Sequence, residues 1–152
     1  MKIAIISGSV FGGAEEVAYH AKERLQAAGH DVWYRTTSDI ESLQQAAPEA
    51  LIAVVSTTGT GDLPGNFEAI YHALRDQLPA WLRGLPGGII ALGDSGYCDS
   101  FCAAGDQVDE LFAELGIEQI QPMLRLDASE TVTQDTDSEP WVDGFNTALA
   151  QR

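Results

Sequence analysis

Three stretches of the chain combine hydroxyl residues with glycine more densely than ordinary turns require. The first is Ser7-Gly8-Ser9-Val10-Phe11-Gly12-Gly13-Ala14, running straight into a helical pattern. Small residues there let backbone N–H groups converge, and a helix N-terminus adds the positive end of its dipole. The chemistry on offer is capture of an anion such as a phosphate. No Lys or Arg stands between Gly8 and Tyr19. Neutral donors must therefore do the holding, with the Ser7 and Ser9 hydroxyls as candidates. A Walker loop does not fit, because Gly13 is followed by Ala14 and Glu15. A dinucleotide loop does not fit either, because Val10 stands where a second glycine is needed.

The second stretch, Ser56-Thr57-Thr58-Gly59-Thr60-Gly61-Asp62-Leu63-Pro64-Gly65-Asn66, holds three threonines and three glycines. Long loops of this kind are usually functional or disordered, and glycine permits close backbone approach to a ligand. The third is Gly93-Asp94-Ser95-Gly96-Tyr97-Cys98-Asp99-Ser100-Phe101-Cys102. Small donors around an aromatic suit a flat heteroaromatic ring. Elsewhere the reactive residues are scattered. Cys98 and Cys102 lack Cys-x-x-Cys spacing, and His20, His30 and His72 stand apart, so neither a thiol redox pair nor a metal site is expected. Trp33, Trp81 and Trp141 read as packing residues, Trp81 being the one to check for partner contact.

The elements that must position these loops alternate. Lys2–Ser7, Leu51–Ser56 and Gly88–Leu92 are short apolar runs of strand type. The last two are near-continuous, as strands covered on both faces must be. Asp31–Thr36 alternates Val32 and Tyr34 against Trp33 and Arg35, and Gln119–Leu126 completes a set of five strands. Helical spacing marks Gly13–Ala28, with Val17, Ala18, Ala21 and Leu25 on one face and Gly29 as its stop. A short helix capped by Ser38 or Asp39 runs to about Gln45. Asn66–Leu78 follows with Ile70, Leu74 and Leu78 inward, then Phe101–Leu115, then Trp141–Ala150. Asp127–Glu139, with five acids and no base, reads as the long loop before the last helix.

Strands alternating with helices predict an α/β, doubly wound parallel sheet with helices on both faces. Ligands in such sheets sit beyond the carboxyl ends of the strands, where the strand order reverses. All three loops fall at that edge.

Length and charge narrow the classes. The 152 residues fit one domain spanning 1–152, and 45% hydrophobic residues suffice for a core. No apolar run is long enough to cross a bilayer. Met1 and Lys2 lead directly into a strand pattern, so no signal peptide is expected and the cytoplasm is the default compartment. Eight basic residues against 23 acidic ones give a net charge of −15. Such a field disfavours nucleic acid and anionic membranes and favours partners with basic faces.

The three loops resemble those of the short-chain flavodoxins, and the likeness spans Lys2 to Leu149. Where that family has Gly-Ser-x-Thr-Gly-Asn-Thr-Glu, this chain has Gly8-Ser9-Val10-Phe11-Gly12-Gly13-Ala14-Glu15. This variant is more similar to the MioC-type flavodoxins than to the mainstream ones. The fifth strand lacks the inserted loop of long-chain members. The resemblance implies a five-stranded sheet of order 2-1-3-4-5, flavodoxin being itself the stock instance of the switch-point rule used above. It also implies a non-covalently bound flavin mononucleotide (FMN) and low-potential electron transfer. A flavodoxin/ferredoxin-type NAD(P)H reductase and acceptor enzymes would be the partners of a monomeric carrier.

By that resemblance Ser9, Val10, Phe11, Gly12, Gly13 and Ala14 hold the phosphate through backbone N–H groups. Thr57, Thr58, Gly59, Thr60 and Gly61 cover one face of the flavin; Gly93, Asp94, Ser95, Tyr97, Phe101 and Cys102 form the other side, with Tyr97 stacked on the ring. The peptide after Gly59 turns over on reduction to offer its N–H to flavin N5. Phe11, Gly13 and Ala14 replace two threonines and an asparagine, removing three side-chain donors. At roughly 1–1.5 kcal/mol each, their loss weakens phosphate binding by an order of magnitude or more. Thr58 replaces a frequent tryptophan, and one extra residue lies between Tyr97 and Phe101. Asp62, Asp94, Asp99 and the Asp127–Glu139 stretch are expected at the flavin edge. There a carboxylate about 10 Å away disfavours the reduced anion by roughly 1.7 kcal/mol.

Three other classes can be weighed against the pattern. A flavin-dependent NAD(P)H–quinone oxidoreductase would need a second nucleotide loop, which is not visible. An FMN-free scaffold of the same fold would account for the missing donors. A phosphoacceptor receiver would need an acidic pair after the first strand, where Ile6 and Ser7 stand. No catalytic acid or base is required of an electron carrier, because the cofactor supplies the chemistry.

Overall fold

The apolar runs of the sequence become the centre of one parallel sheet. Its strands are β1 (Lys2–Gly8), β2 (Asp31–Tyr34), β3 (Ala50–Ser56), β4 (Pro86–Gly93), β5 (Glu118–Gln119) and β6 (Leu124–Asp127). The computed structural model describes residues 1–9, 13–35, 39–57, 64–93, 103–127 and 134–151. The ladder runs β2-β1-β3-β4-β5, and β6 also pairs with β4. The expected order 2-1-3-4-5 holds, with the fifth position filled by two short pieces. Residues 120–123 separate them. Pro122 has no N–H to give a ladder, and its carbonyl accepts from Trp141 Nε1 at 2.7 Å.

The helices are α1 (Gly13–Ala27), α2 (Ile40–Ala46), α3 (Gly65–Gln77), α4 (Ala103–Leu115), α5 (Gln134–Asp137) and α6 (Glu139–Ala150). Alternate strand residues feed two separate cores. Ala4, Ile6, Leu51, Ala53 and Val55 pack with Phe67 and Leu74 of α3 and Phe112 of α4. Ile3, Ile5, Ile52, Val54 and Ile90 pack with Val17 and Leu25 of α1 and Phe145 of α6. With both faces covered, β3 and β4 are buried at every position before their last residue. Gly88 makes room for α6: a Cβ there would lie 2.6 Å from Trp141, whose ring stacks on Phe145.

Local chemistry sets the helix ends. Asp39 is the N-cap of α2 and accepts from Ser42 N at 2.7 Å; the hydrogen bonds from Ser42 hold its carboxyl below the usual range. Gly29, after α1, takes a φ of +98° that side chains rarely adopt. Two expectations fail. Leu78 does not point inward: α3 stops at Gln77, and Leu78 caps it in a left-handed conformation that leaves it 48% exposed. Phe67 and Tyr71 take the inward positions beside Ile70 and Leu74. Nor is Asp127–Glu139 one long loop, because α5 lies within it and Glu139 already belongs to α6.

Candidate functional site

Parallel register sets the strand ends level. Gly8 pairs with Val55, Ser56 with Leu92, and Gly93 with Asp127. Ser9, Thr57 and Gly93, at the roots of the three loops, therefore stand along one rim at the carboxyl ends. β1 and β3 are neighbours, yet α1 packs on one face of the sheet and α3 on the other. The crevice between them is the switch point of the fold.

The first loop enters α1 at Gly13, followed by the fully buried Ala14. Neither residue carries a bulky side chain across the helix end. The N–H groups of a first helical turn have no partner within the helix, and α1 adds its dipole. Glu15 and Glu16 in that turn oppose an anion. The Glu15 charge, however, is absorbed locally. One of its oxygens accepts from the Ser9 hydroxyl and the other from Asn66 Nδ2, the latter at 2.9 Å. The Ser9 hydroxyl proton is thereby committed to Glu15. Ser7 is turned elsewhere too: its Oγ bonds the Tyr34 hydroxyl at 2.8 Å. Burial pushes the Tyr34 phenol up, the Ser7 bond pulls it down, and nearby Glu15 raises it further. These features fit a phosphate held by backbone donors, as the absence of cations from Gly8 to Tyr19 requires.

The second and third loops share an anchor. Thr57 N donates to Leu92 O at 3.0 Å, and Thr57 Oγ1 accepts from Ala104 N at 3.1 Å, at the start of α4. The chain leaving β3 is thereby tied to the chain returning from the third loop. Of the residues expected to hold a cofactor, Ser9, Gly13, Ala14, Thr57 and Gly93 are brought to this rim. Val10, Phe11, Gly12, Thr58, Gly59, Thr60, Gly61, Asp94, Ser95, Tyr97, Phe101 and Cys102 lie outside the described residues. Asp62, Asp99 and Cys98 do as well. Sequence reasoning quoted Glu15 and Asn66 at the ends of the first two motifs without giving either a role, and it missed Tyr34 and Ala104 as parts of the rim, which join it through tertiary register alone.

The acids are not all where they were expected. Asp127 stands at the rim by register. Glu139 instead belongs to a seam between α1 and α6, where it meets His20 Nε2 at 2.7 Å and Arg24 at 3.5 Å. Arg24 also grips Asp143 with two bonds of 2.7 Å, which keeps the Asp143 carboxyl below its usual range. Arg125 pairs with Asp106 and Lys2 with Asp31. Trp81, singled out for partner contact, packs partly buried against the α3–α4 core. Among the described residues no cluster of three metal-binding side chains occurs, and no helix is long and apolar enough to cross a membrane.

Comparison with known proteins agrees with this architecture. The family model described as flavodoxin matches residues 5–141. A solved cysteine-to-alanine variant of a flavodoxin from Pseudomonas aeruginosa is 57% identical and superposes with a TM-score of 0.95, covering 99% of both chains. Flavodoxin YqcA of Escherichia coli is 34% identical, over 98% of this chain and 99% of its own. The MioC protein of the same bacterium is 33% identical, over 92% of each. YqcA thus matches over somewhat more of the chain than MioC does. With the sheet order, the rim and a family match over most of its length, this chain belongs to the flavodoxin family.

Proposed function

We propose that this chain holds one FMN non-covalently at the carboxyl rim and carries electrons with it at low potential. The observation that supports this most is the convergence at one switch point. The roots of three glycine-rich loops and the N-terminus of α1 meet there, and none of the three stretches carries a Lys or Arg. When bound, FMN supplies the redox chemistry, and the protein's part is to bind, orient and shield it.

Each part of the rim has a share in that task. The backbone from Ser9 to Ala14 takes the phosphate, with α1 contributing its dipole. Thr57–Gly61 would cover one face of the ring, and Gly93, Asp94, Ser95, Tyr97, Phe101 and Cys102 would form the other side, with Tyr97 stacking. Thr57 keeps these two walls in step through Ala104. The acidic rim, Asp127 included, disfavours added negative charge on the ring and so lowers the potential. The net charge of −15 steers the carrier to basic faces on a flavodoxin/ferredoxin-type NAD(P)H reductase and on acceptor enzymes of the cytoplasm.

Incubating the FMN-loaded chain with NADPH tests the carrier role. The flavin should stay oxidised until a reductase of this type is added, then bleach, and recover when an acceptor is supplied. Steady NADPH oxidation with a quinone and no reductase would show an enzyme instead.

A further inference from the structure

We propose that Glu15 is a positioning residue that locks the phosphate loop to the loop after β3. The inference rests on the FMN reading above and deepens it. The Glu15 carboxylate has two oxygens, and each takes a donor from a different element. Ser9 lies at the root of the first loop, and Asn66 is the second residue of α3, just past the second loop. α1 and α3 lie on opposite faces of the sheet, so the carboxylate bridges them across its edge. Gly8 lies beneath the bridge. A Cβ on Gly8 would stand 2.4 Å from Phe67 Cβ and 3.0 Å from Asn66 Oδ1, so α3 starts hard against the β1 backbone.

The residues that flank the second stretch, Thr57 and Asn66, are then each tied to another element. Thr57 ties its start to α4 through Ala104, and Asn66 ties its end to α1 through Glu15. A carboxylate suits the role because charged acceptors make the stronger bonds. It also takes the single hydroxyl proton of Ser9, which leaves phosphate capture to backbone N–H groups. The alternative role, a solvated acid complementing the helix dipole, belongs to Glu16. That residue is exposed on the same turn, whereas Glu15 is partly buried, and it serves as the internal control.

The test is titration of FMN and of riboflavin, which lacks the phosphate, into the cofactor-free chain, read by flavin fluorescence. Glu15→Ala should raise the Kd for FMN about tenfold, as expected for losing two charge-assisted bonds partly replaced by water. It should weaken riboflavin as well, because the loop beside the ring loses its anchor. Glu15→Gln should recover most of the affinity: its amide oxygen accepts from Asn66 while its nitrogen donates to Ser9 Oγ. Glu16→Ala removes an exposed charge that opposes the anion and should bind FMN no more weakly than wild type. Asn66→Ala should reproduce part of the loss, and adding Glu15→Ala to it should cost less than Glu15→Ala does alone.

Unchanged binding by Glu15→Ala overturns the proposal, as does a loss confined to FMN. A glutamine variant as weak as alanine also overturns it, since charge and not bridging would then be at work. Should Glu15→Ala fail to fold, the folded Asn66→Ala variant decides, unchanged binding of both flavins being the contrary result. A wild-type chain that binds neither flavin sinks the cofactor reading itself, whereas wild-type binding beside an unaffected Glu15→Ala sinks only the lock.

Discussion

At the amino rim of the sheet, Gly29, Gly84 and Gly116 take φ values of +98°, +82° and +78°, and around Gly29 and Gly84 a Cβ would meet nothing within 4 Å. At the carboxyl rim, Gly8 has no such φ, yet its missing Cβ is the space into which Phe67 fits. The first three solve a problem of chain direction and the last a problem of close approach. At the carboxyl rim polar side chains add ties between separate elements, Ser7 to Tyr34, Glu15 to Asn66 and Thr57 to α4. Glycine at the amino rim turns the chain; at the carboxyl rim it lets α3 close on β1, where those ties hold the loop roots in fixed relation, as a ligand site requires.

Substitutions can break this contrast, beginning with Gly8→Ala. The new methyl would press on Phe67 Cβ, near the α3 backbone and unable to swing away. Overpacking of this kind costs about 3 kcal/mol at its upper range. We expect that loss in chemical denaturation, together with weaker FMN binding as α3 shifts from the rim. Gly29→Ala should cost about 1 kcal/mol through its left-handed backbone and leave the FMN Kd unchanged. If Gly29→Ala impaired FMN binding as much as Gly8→Ala, the division between rims would be lost.

Tyr34→Phe sharpens the comparison through pH. Burial, the largest influence, and Glu15 together hold the Tyr34 phenol above its ordinary 10.0, against the opposing bond to Ser7. The folded chain therefore keeps this proton more tightly than the unfolded one. The resulting stability is complete below the unfolded pKa and is lost as pH rises through the folded value. Tyr34→Phe should cost about 1 kcal/mol at neutral pH for the lost bond and flatten the alkaline fall in melting temperature. An alkaline limb identical to wild type would assign that fall to other groups.

Much of the fold was legible because it depends on local pattern. The apolar run Leu51–Ser56 read as a strand covered on both sides, and Gly29 marked a helix end. The three loops were legible as a group because alternating strands and helices must return them to the same edge. What escaped depends on tertiary context. The apolar spacing of α3 runs on to Leu78, but the left-handed cap turns that side chain out. Pro122 interrupts the fifth strand at a point that hydropathy does not mark. Glu139 looked like one more acid for the rim until His20 and Arg24, over a hundred residues earlier in the chain, claimed it. Glu15 and Asn66 are 51 positions apart, a pairing that only the parallel register of β1 and β3 brings about.

The central claim is that backbone donors at this rim grip a phosphorylated flavin without a cation, and an FMN titration of the cofactor-free chain tests it most directly. Saturable one-to-one quenching of flavin fluorescence, with a rise in melting temperature and weaker uptake of riboflavin than of FMN, is the predicted result. Fluorescence and melting temperature both unmoved at saturating FMN would contradict it.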